Sequence, residues 1–374
     1  MLLLEFKTGN YRSIKEPICI SMIANNCQSR KRSIITTKAF IGRNGTGKTN
    51  LLRAMFAGVQ IIKESIYLMP GESIPEISPF IFDKYSKTEP TFFEFNFVLD
   101  NTQFIYSYSA TRTQIVSEVL YRFKNDSKSI VFQREYQKFD FSKKKNQFKK
   151  LKEMTSENKL FLSVAAHFNE TECSEVFKAL TQSFLFANPN SLNQLAKQIA
   201  LYDYSNRYKN QILDFLNKVD LDITDYEILD ERHNRTIHRV HSSDYFLSLN
   251  QESEGTQKYL YLLHCLFKAI QKGKILVVDE IESSLYPSLV EEIIQWFNDP
   301  EFNQKSSQLI FSTHDYFLLT TDQIAEEQVD IIRINKEAQF TELIPFCNQA
   351  KLEKDVLINH SFSEFFTSIS GMLD

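Results

Sequence analysis

Residues 42–49 read Gly-Arg-Asn-Gly-Thr-Gly-Lys-Thr and match the phosphate-loop pattern G-x-x-x-x-G-K-[ST] at every fixed position. The apolar run Ala-Phe-Ile at 39–41 precedes the match as a strand would, and helix-forming side chains follow at 50–56. Glycine suits such a loop because backbone N–H groups close around phosphate oxygens, where a Cβ would block the approach. An ordinary glycine-containing turn between a strand and a helix is the alternative. Both flanks favour a nucleotide site.

The loop also predicts roles for its individual residues. Lys48 is expected to reach the β- and γ-phosphates of ATP and to assist catalysis, and the Thr49 hydroxyl to take a coordination position on Mg²⁺. The start of the following helix adds partial positive charge to the site. The predicted nucleotide-binding residues of this segment are Asn44, Gly45, Thr46, Gly47, Lys48, Thr49 and Asn50.

A second apolar run, Ile275–Val278, ends in two acids, Asp279 and Glu280. Four consecutive apolar residues are typical of a strand buried in a parallel sheet. Asp279 is predicted to hold Mg²⁺ through water, and Glu280 to orient and deprotonate the attacking water. Two acids at a strand end also occur in solvated turns. Their combination with a phosphate loop favours the ATPase interpretation.

Two further segments supply candidate site residues. A third apolar run at 308–311 is followed by His314, whose ring could hydrogen-bond the γ-phosphate or the attacking water. A surface histidine at a strand end is the alternative. Ser253 and the backbone of Gly255 suit an anion at a helix N-terminus, or they simply cap that helix.

Composition limits the classes of protein to which the chain can belong. The chain has 374 residues and a net charge of −4, which excludes a uniformly basic DNA-coating protein but permits a local basic patch. Its five cysteines are scattered, which argues for a reducing cytoplasm and against a zinc site or a disulfide framework. No apolar run is long enough for a membrane span, and the N-terminus is charged too soon for a signal peptide.

The pattern along the chain predicts several inserted parts. Alternating aromatic residues at 91–110 predict a β-hairpin that turns at Asp100 and Asn101, and further strands follow it. The chain then becomes polar and helical at 143–216 and returns to strands at 222–249. We therefore predict an α/β ATPase body interrupted by an antiparallel β subdomain and a helical lobe. Its segments are 1–140 with the phosphate loop and β subdomain, 141–245 as the helical insertion, 246–350 with the acidic and histidine strands, and 351–374 as a C-terminal segment.

The order of these motifs resembles ABC-type ATPases of the RecF/SMC/OLD group. Within that group the chain is similar to the prokaryotic "AAA family ATPase, ATP/GTP phosphatase" proteins of phage-defence and abortive-infection loci. The resemblance implies an ABC-ATPase-like P-loop NTPase fold and adds Arg12 to the nucleotide site. Tyr286 stands where the family usually has histidine, and we identify no Q-loop glutamine. The other matching segments are 10–14 (N-[FY]-R-S-[FI]), 79–83 (P-F-x-F-D), 252–258 (the signature) and 279–287 (D-E-I-D-x-S-L-H-P).

The resemblance also implies a mechanism that uses two copies of the chain. Such ATPases form head-to-tail dimers, in which each ATP lies between one phosphate loop and the other chain's signature. Ser253, Gly255 and Thr256 would then contact ATP bound to the opposite subunit. Residues 283–285 would lie at the dimer interface beside Glu280. A dimer or higher homo-oligomer is therefore expected.

Two functions follow from this resemblance. The first is an ATPase subunit of an anti-phage defence system. This subunit would act as a sensor or scaffold and control a separately encoded effector, which would be a nuclease or a toxin. Residues 351–374 form a candidate docking segment for that effector, or a helix packed on its own body. The second is a RecF-like ATPase of DNA repair or maintenance. A transporter subunit fits less well, because the signature departs from L-S-G-G-Q.

Three other features have ordinary explanations that we prefer. A lysine run at 143–152 with Phe141 and Phe148, and the basic residues 30–32, could contact nucleic acid, but solvated faces are the commoner case. The histidines 233, 238 and 241 favour a polar hairpin over a metal site, because 238 and 241 would point to opposite faces of one strand. About 60 residues follow His314, which is near the lower end of domain size, and no Asp-x-Asp follows a predicted strand among them. A fused nuclease is therefore not expected.

Overall fold

The computed structural model describes residues 1–24, 33–124, 127–141, 145–187, 209–218, 223–228, 234–285, 287–316, 318 and 323–346. Several predictions concern residues outside these ranges. They are the basic residues 30–32, Lys143 and Lys144 of the lysine run, His233, Tyr286, and the docking segment 351–374.

The described residues form strands and helices in mixed order. The strands are β1 Leu2–Gly9, β2 Ile18–Ser21, β3 Ile23–Ala24, β4 Ser33–Ile34, β5 Thr37–Ile41, β6 Thr91–Leu99, β7 Thr102–Ala110, β8 Ile115–Lys124, β9 Ser127–Glu135, β10 Lys138–Asp140, β11 Phe184–Ala187, β12 Ile223–Ile228, β13 Asn234–Val240, β14 Ser243–Ser248, β15 Ile275–Val278, β16 Gln308–Thr313, β17 Val329–Asn335 and β18 Phe340–Pro345. The helices are α1 Lys48–Glu64, α2 Lys145–Glu153, α3 Phe161–His167, α4 Thr171–Ser183, α5 Lys209–Lys218, α6 Glu254–Lys272 and α7 Pro287–Asn298.

A largely parallel sheet positions the predicted motifs. Its strand order within the described residues is β11-β15-β16-β5-β17-β18, and only β18 runs antiparallel to its neighbour. Every residue of β5, β15 and β16 is buried, which explains the apolar runs 39–41, 275–278 and 309–311 that lie within them. The carboxyl ends of parallel strands share one edge of a sheet, where α/β proteins bind ligands. The phosphate loop, the two acids and His314 therefore follow three adjacent strands at the same edge.

An antiparallel sheet packs against α1. Its order is β10-β9-β8-β7-β6-β1-β2 in the described chain, and Asp100 and Asn101 form the β6–β7 turn with φ of 46° and 60°, as a type I′ hairpin requires. Phe93 and Phe95 are fully buried against Gly58 of α1, where an added Cβ would lie 3.1 and 2.9 Å from their rings. The hairpin prediction is confirmed. The sheet is not built only from residues after the phosphate loop, because β6 also pairs with β1 from the N-terminus.

The central sheet separates two apolar cores. Ile275 and Val277 of β15 pack with α1, α4 and the antiparallel sheet, whereas Leu276 and Val278 pack with α6 and α7. This alternation follows from the two-residue period of a strand. The layers are therefore the antiparallel sheet, a helical layer, the central sheet and a second helical layer.

The predicted helical stretch 143–216 is only partly helical. It contains α2, α3, α4 and α5, but Phe184–Ala187 forms strand β11 and pairs in parallel with β15. The four apolar residues of β11 directly follow a helix, with no glycine or proline between them. The sequence pattern therefore did not distinguish this strand from a continuation of the helix.

The predicted strands at 222–249 form the sheet β12-β13-β14. His238 lies in β13, but β13 ends at Val240, and His241 with Ser242 forms the turn to β14 at φ of 49° and 69°. The expectation that His238 and His241 lie on opposite faces of one strand is wrong, because His241 is a turn residue. His238 instead contacts Glu252, with Nε2 2.6 Å from Oε1.

Candidate nucleotide-binding site

Three glycines shape the loop between β5 and α1. Gly45 and Gly47 have φ of 83° and 101°, a left-handed conformation that residues with a Cβ rarely adopt. Gly42 is needed for another reason, because its Cβ would lie 2.3 Å from the carbonyl oxygen of Ile332 on β17. The Cβ position of Gly45 has no described heavy atom within 4 Å, so this part of the loop is open.

The ammonium group of Lys48 lies inside the loop. It donates hydrogen bonds to the carbonyl oxygens of Gly42 at 2.5 Å and Arg43 at 3.0 Å, and Lys48 is only 5% exposed. Burial lowers the pKa of Lys48, and the nearby carboxylates of Glu282, Glu280 and Asp279 oppose that change. The acids that follow β15 are therefore electrostatically coupled to the phosphate-loop lysine.

Two residues outside the predicted site, Ser13 and Thr341, hold the loop in place. Thr341 Oγ1 on β18 lies 3.0 Å from the carbonyl oxygen of Thr46 and 2.7 Å from Ser13 Oγ. The side-chain amide of Asn50 donates to the same Ser13 hydroxyl at 2.8 Å. An added Cβ on Gly47 would lie 2.0 Å from Thr341 Oγ1. Ser13 lies inside the family-like segment 10–14, and this was the one sequence feature that could have indicated its place in the site.

Ser312 organises the two acids. Its hydroxyl donates to Asp279 Oδ1 at 2.5 Å and accepts from the backbone N–H of Glu280 at 2.8 Å. Glu280 has φ of 50°, which is uncommon for a residue with a side chain. Such backbone strain persists where surrounding contacts enforce it and clusters at functional sites. Ser312 belongs to the histidine strand, but its role was not predicted.

His314 is half exposed and is held by Glu282. The backbone N–H of His314 donates to Glu282 Oε1 at 2.6 Å, and ring Nδ1 lies 2.6 Å from the same oxygen. The side chain of His314 is 53% exposed and that of Glu282 11%. No role had been predicted for Glu282 from its motif.

The signature segment begins α6. Ser253 Oγ accepts from the backbone N–H of Thr256 at 3.1 Å and lies 2.8 Å from Thr256 Oγ1, so Ser253 is the helix cap. Ser253 and Gly255 are exposed, whereas Thr256 is buried. Their contact with ATP on an opposite subunit stays a prediction.

Arg12 lies in the N-terminal turn, with φ of 50° and its backbone N–H donating to the carbonyl oxygen of Ser78 at 2.7 Å. Its guanidinium carbon is 5.8 Å from the ring centroid of Tyr11. Its role in nucleotide binding stays a prediction.

The assembled groups fit a Mg²⁺–nucleotide. The turn at Gly45 is open and exposed, Lys48 supplies an ammonium, and Thr49 is exposed at the first turn of α1. Mg²⁺ binds through one or two oxygen ligands from the protein, and keeps waters or phosphate oxygens for the rest. The Thr49 hydroxyl and the Asp279 carboxylate match that requirement. Within the described ranges, no group of three or more His, Cys, Asp or Glu side chains is arranged around a common metal position.

Comparison with known proteins identifies the relationship. The family model described as "AAA domain, putative AbiEii toxin, Type IV TA system" matches residues 39–320, which include the phosphate loop, both acids and His314. No curated protein matches the chain. Among solved structures, the chain is similar to the "SMC head domain from Thermotoga maritima", with 13% identity over 92% of this chain and 99% of that chain and a TM-score of 0.44. No helix in the described part of the chain is long and apolar enough to cross a membrane.

Proposed function

Because the chain belongs to the AAA-domain family matched over residues 39–320, we propose that it binds and hydrolyses Mg²⁺–ATP as an ABC-type ATPase. The main support is the edge of the central sheet, where the phosphate loop, Asp279, Glu280 and His314 follow three adjacent parallel strands. The family match and this strand order also confirm the expected α/β P-loop fold.

Each residue at this edge has a proposed task. Lys48 exchanges its bonds to loop carbonyl oxygens for phosphate oxygens, and Thr49 with Asp279 would hold Mg²⁺. The ion, when bound, neutralises phosphate charge. Glu280 accepts a proton from water, while its backbone stays fixed on Ser312. His314 offers its exposed ring to the phosphate or the water.

We propose that two copies act head to tail. Ser253 and Gly255 lie exposed at the N-terminus of α6, a helix of 19 residues whose first turn carries partial positive charge. These features suit the triphosphate of an opposite subunit. The residues that complete each site would then come from both chains.

The proposed biological role is control of a separately encoded effector, a nuclease or toxin, in an anti-phage defence system. The family description names a toxin of a type IV toxin–antitoxin system, which supports a place in abortive infection. Residues 351–374 are the proposed docking segment. Deleting them should release a co-purified partner, and unchanged co-purification would contradict docking there.

The ATPase proposal is tested with Glu280→Gln in the full chain. We expect this variant to retain ATP, to lose hydrolysis by about 100-fold or more, and to double in mass by size-exclusion light scattering when ATP is present. Glu301→Gln, at an exposed loop acid, is the matched control. Failure of the wild-type protein to bind or hydrolyse ATP with Mg²⁺, even beside its natural companion protein, would overturn the proposal. If the wild-type protein hydrolyses ATP but the mass of Glu280→Gln does not change with ATP, only the head-to-tail arrangement would be overturned.

A RecF-like DNA-binding ATPase is the second candidate, because Lys149, Lys150 and Lys152 are exposed on α2. The interleaved Phe141 and Phe148 are buried with ring centroids 5.1 Å apart, so they offer no surface for stacking bases. Salt-dependent DNA binding together with DNA-stimulated ATP hydrolysis would favour this candidate.

A further inference from the structure

The contact between Glu282 and His314 connects the ends of two adjacent strands. Glu282 lies in the short 3₁₀ turn Ile281–Ser284 after β15, and His314 directly follows β16. One oxygen, Oε1, accepts from the backbone N–H of His314 and lies equally close to its ring Nδ1, both at 2.6 Å. A single carboxylate oxygen therefore binds the backbone of His314 and lies within ion-pairing distance of its imidazole.

Glu282 is also chemically distinct from the two acids before it. Asp279 is bound to Ser312, and the backbone of Glu280 is bound to the same hydroxyl. The second oxygen of Glu282, Oε2, is buried and has no hydrogen-bond partner among the described residues. Of the three carboxylates, Glu282 has the strongest electrostatic effect on the ammonium of Lys48. The carboxylate of Glu282 thus opposes the lowering of the Lys48 pKa and also binds the backbone of His314.

We propose that Glu282 is a positioning residue for ATP hydrolysis, which holds the Nδ1 side of His314 so that Nε2 faces the water that attacks the nucleotide. The proposal rests on the proposed ATPase function and assigns a role that is separate from that of Glu280. A carboxylate that accepts from Nδ1–H selects the tautomer whose Nε2 carries the free lone pair, which can accept a hydrogen bond from the attacking water. It also restricts ring rotation, so that His314 need not be ordered during each catalytic cycle.

A kinetic double-mutant cycle tests whether Glu282 acts through His314. We expect Glu282→Ala to lower kcat by about ten-fold or more while KM for ATP changes by less than about three-fold. The double variant Glu282→Ala/His314→Ala should be no slower than His314→Ala alone, because the positioned group is already absent. Glu282→Gln retains an acceptor oxygen and should keep more activity than Glu282→Ala. Glu301→Ala is the control for loss of an acid. Multiplicative losses in the double variant would overturn the proposal.

A spectroscopic measurement on the nucleotide-free protein keeps the inference testable if a Glu282 variant folds poorly. In full-length protein labelled with ¹⁵N-histidine, the His314 signal is identified as the one missing from His314→Ala. We expect wild-type His314 to carry its proton on Nδ1 at mildly alkaline pH, and Glu282→Ala to shift it toward Nε2. A wild-type proton on Nε2 would overturn the proposal. This readout does not depend on hydrolysis, so it separates failure of the inference from failure of the ATPase proposal.

Discussion

Ser312 Oγ donates a hydrogen bond of 2.5 Å to Asp279 Oδ1, across two neighbouring strands of the central sheet. The same hydroxyl accepts from the N–H of Glu280 at 2.8 Å. It thereby fixes one acid through its side chain and the other through its backbone, which has φ of 50°. The orientation of both acids depends on a residue from the next strand.

Ser312→Ala should therefore disturb both acids without unfolding the sheet. We expect ATP hydrolysis to fall by about ten-fold or more, because small misplacement of reacting groups slows catalysis strongly. The free energy of unfolding should fall by about 1 kcal/mol for the lost hydrogen bonds. Steady-state hydrolysis and urea unfolding measure the two effects, with exposed Ser243→Ala on β14 as the control. Unchanged hydrolysis would contradict a role for Ser312 in orienting the acids.

Gly45, Gly47 and Gly71 all have left-handed φ, and their alanine variants distinguish the cost of backbone strain from that of a steric clash. Gly71→Ala at φ of 85° meets no described atom within 4 Å and should cost about 1–2 kcal/mol for the backbone alone. Gly47→Ala has the same kind of cost and also places Cβ 2.0 Å from Thr341 Oγ1, so we expect it to be clearly less stable than Gly71→Ala. Urea unfolding of the two variants tests this order. Equal stabilities would contradict the proposed packing of Thr341 against the loop.

Gly45→Ala gives a different expected outcome. Its φ of 83° and open surroundings match those of Gly71, so the two alanine variants should lose similar stability. Only Gly45 lies in the phosphate loop, and we expect only its variant to lose ATP affinity, because the new Cβ projects where phosphate would bind. Calorimetric titration with ATP distinguishes them. Equal ATP affinity in the two variants would contradict a phosphate-binding role for this turn.

Local patterns were sufficient to predict much of the fold. The apolar runs within β5, β15 and β16 were recognised because a strand buried on both faces has consecutive apolar residues instead of alternating apolar and polar ones. The β6–β7 hairpin was recognised from alternating aromatic residues and an Asp-Asn turn. Three of these strands end in motifs, and parallel pairing then brings the motifs together.

The supporting contacts of the site could not be predicted in this way. Thr341 and Thr46 are 295 positions apart, and nothing in the neighbourhood of Thr341 distinguishes it from any strand threonine. Ser312 and Glu282 lie inside recognised motifs, yet their partners are fixed by the register between strands rather than by spacing along the chain. The pairing of β1 with β6 is likewise a long-range contact.

Thr341→Val tests the long-range support of the phosphate loop. Valine keeps the shape of threonine but removes Oγ1, which lies 3.0 Å from the Thr46 carbonyl oxygen and 2.7 Å from Ser13 Oγ. We expect a loss of about 1 kcal/mol in unfolding free energy, since a buried carbonyl loses its partner, together with weaker ATP binding. Thr102→Val on the half-buried start of β7 is the strand control. ATP affinity equal to that of the control would contradict support of the loop by Thr341.

The buried ammonium of Lys48 should give stability a distinctive pH dependence. Burial lowers its pKa below the ordinary value of 10.5, so between these two values the unfolded chain binds more protons than the folded one. The free energy of unfolding contributed by Lys48 therefore rises with pH over that interval. Lys268, whose pKa is lowered by burial to about 8, adds a slope of the same sign. For this reason the effect is read from the difference between wild type and Lys48→Met.

Urea unfolding of both proteins from neutral pH toward 10.5 measures this difference. We expect the wild-type curve to rise more steeply than that of Lys48→Met in the alkaline part of the range. Lys305→Met, at an exposed lysine, should remain parallel to wild type. Parallel curves for wild type and Lys48→Met would show that the folded and unfolded chains hold the Lys48 proton equally well, and that the loop does not bury its charge.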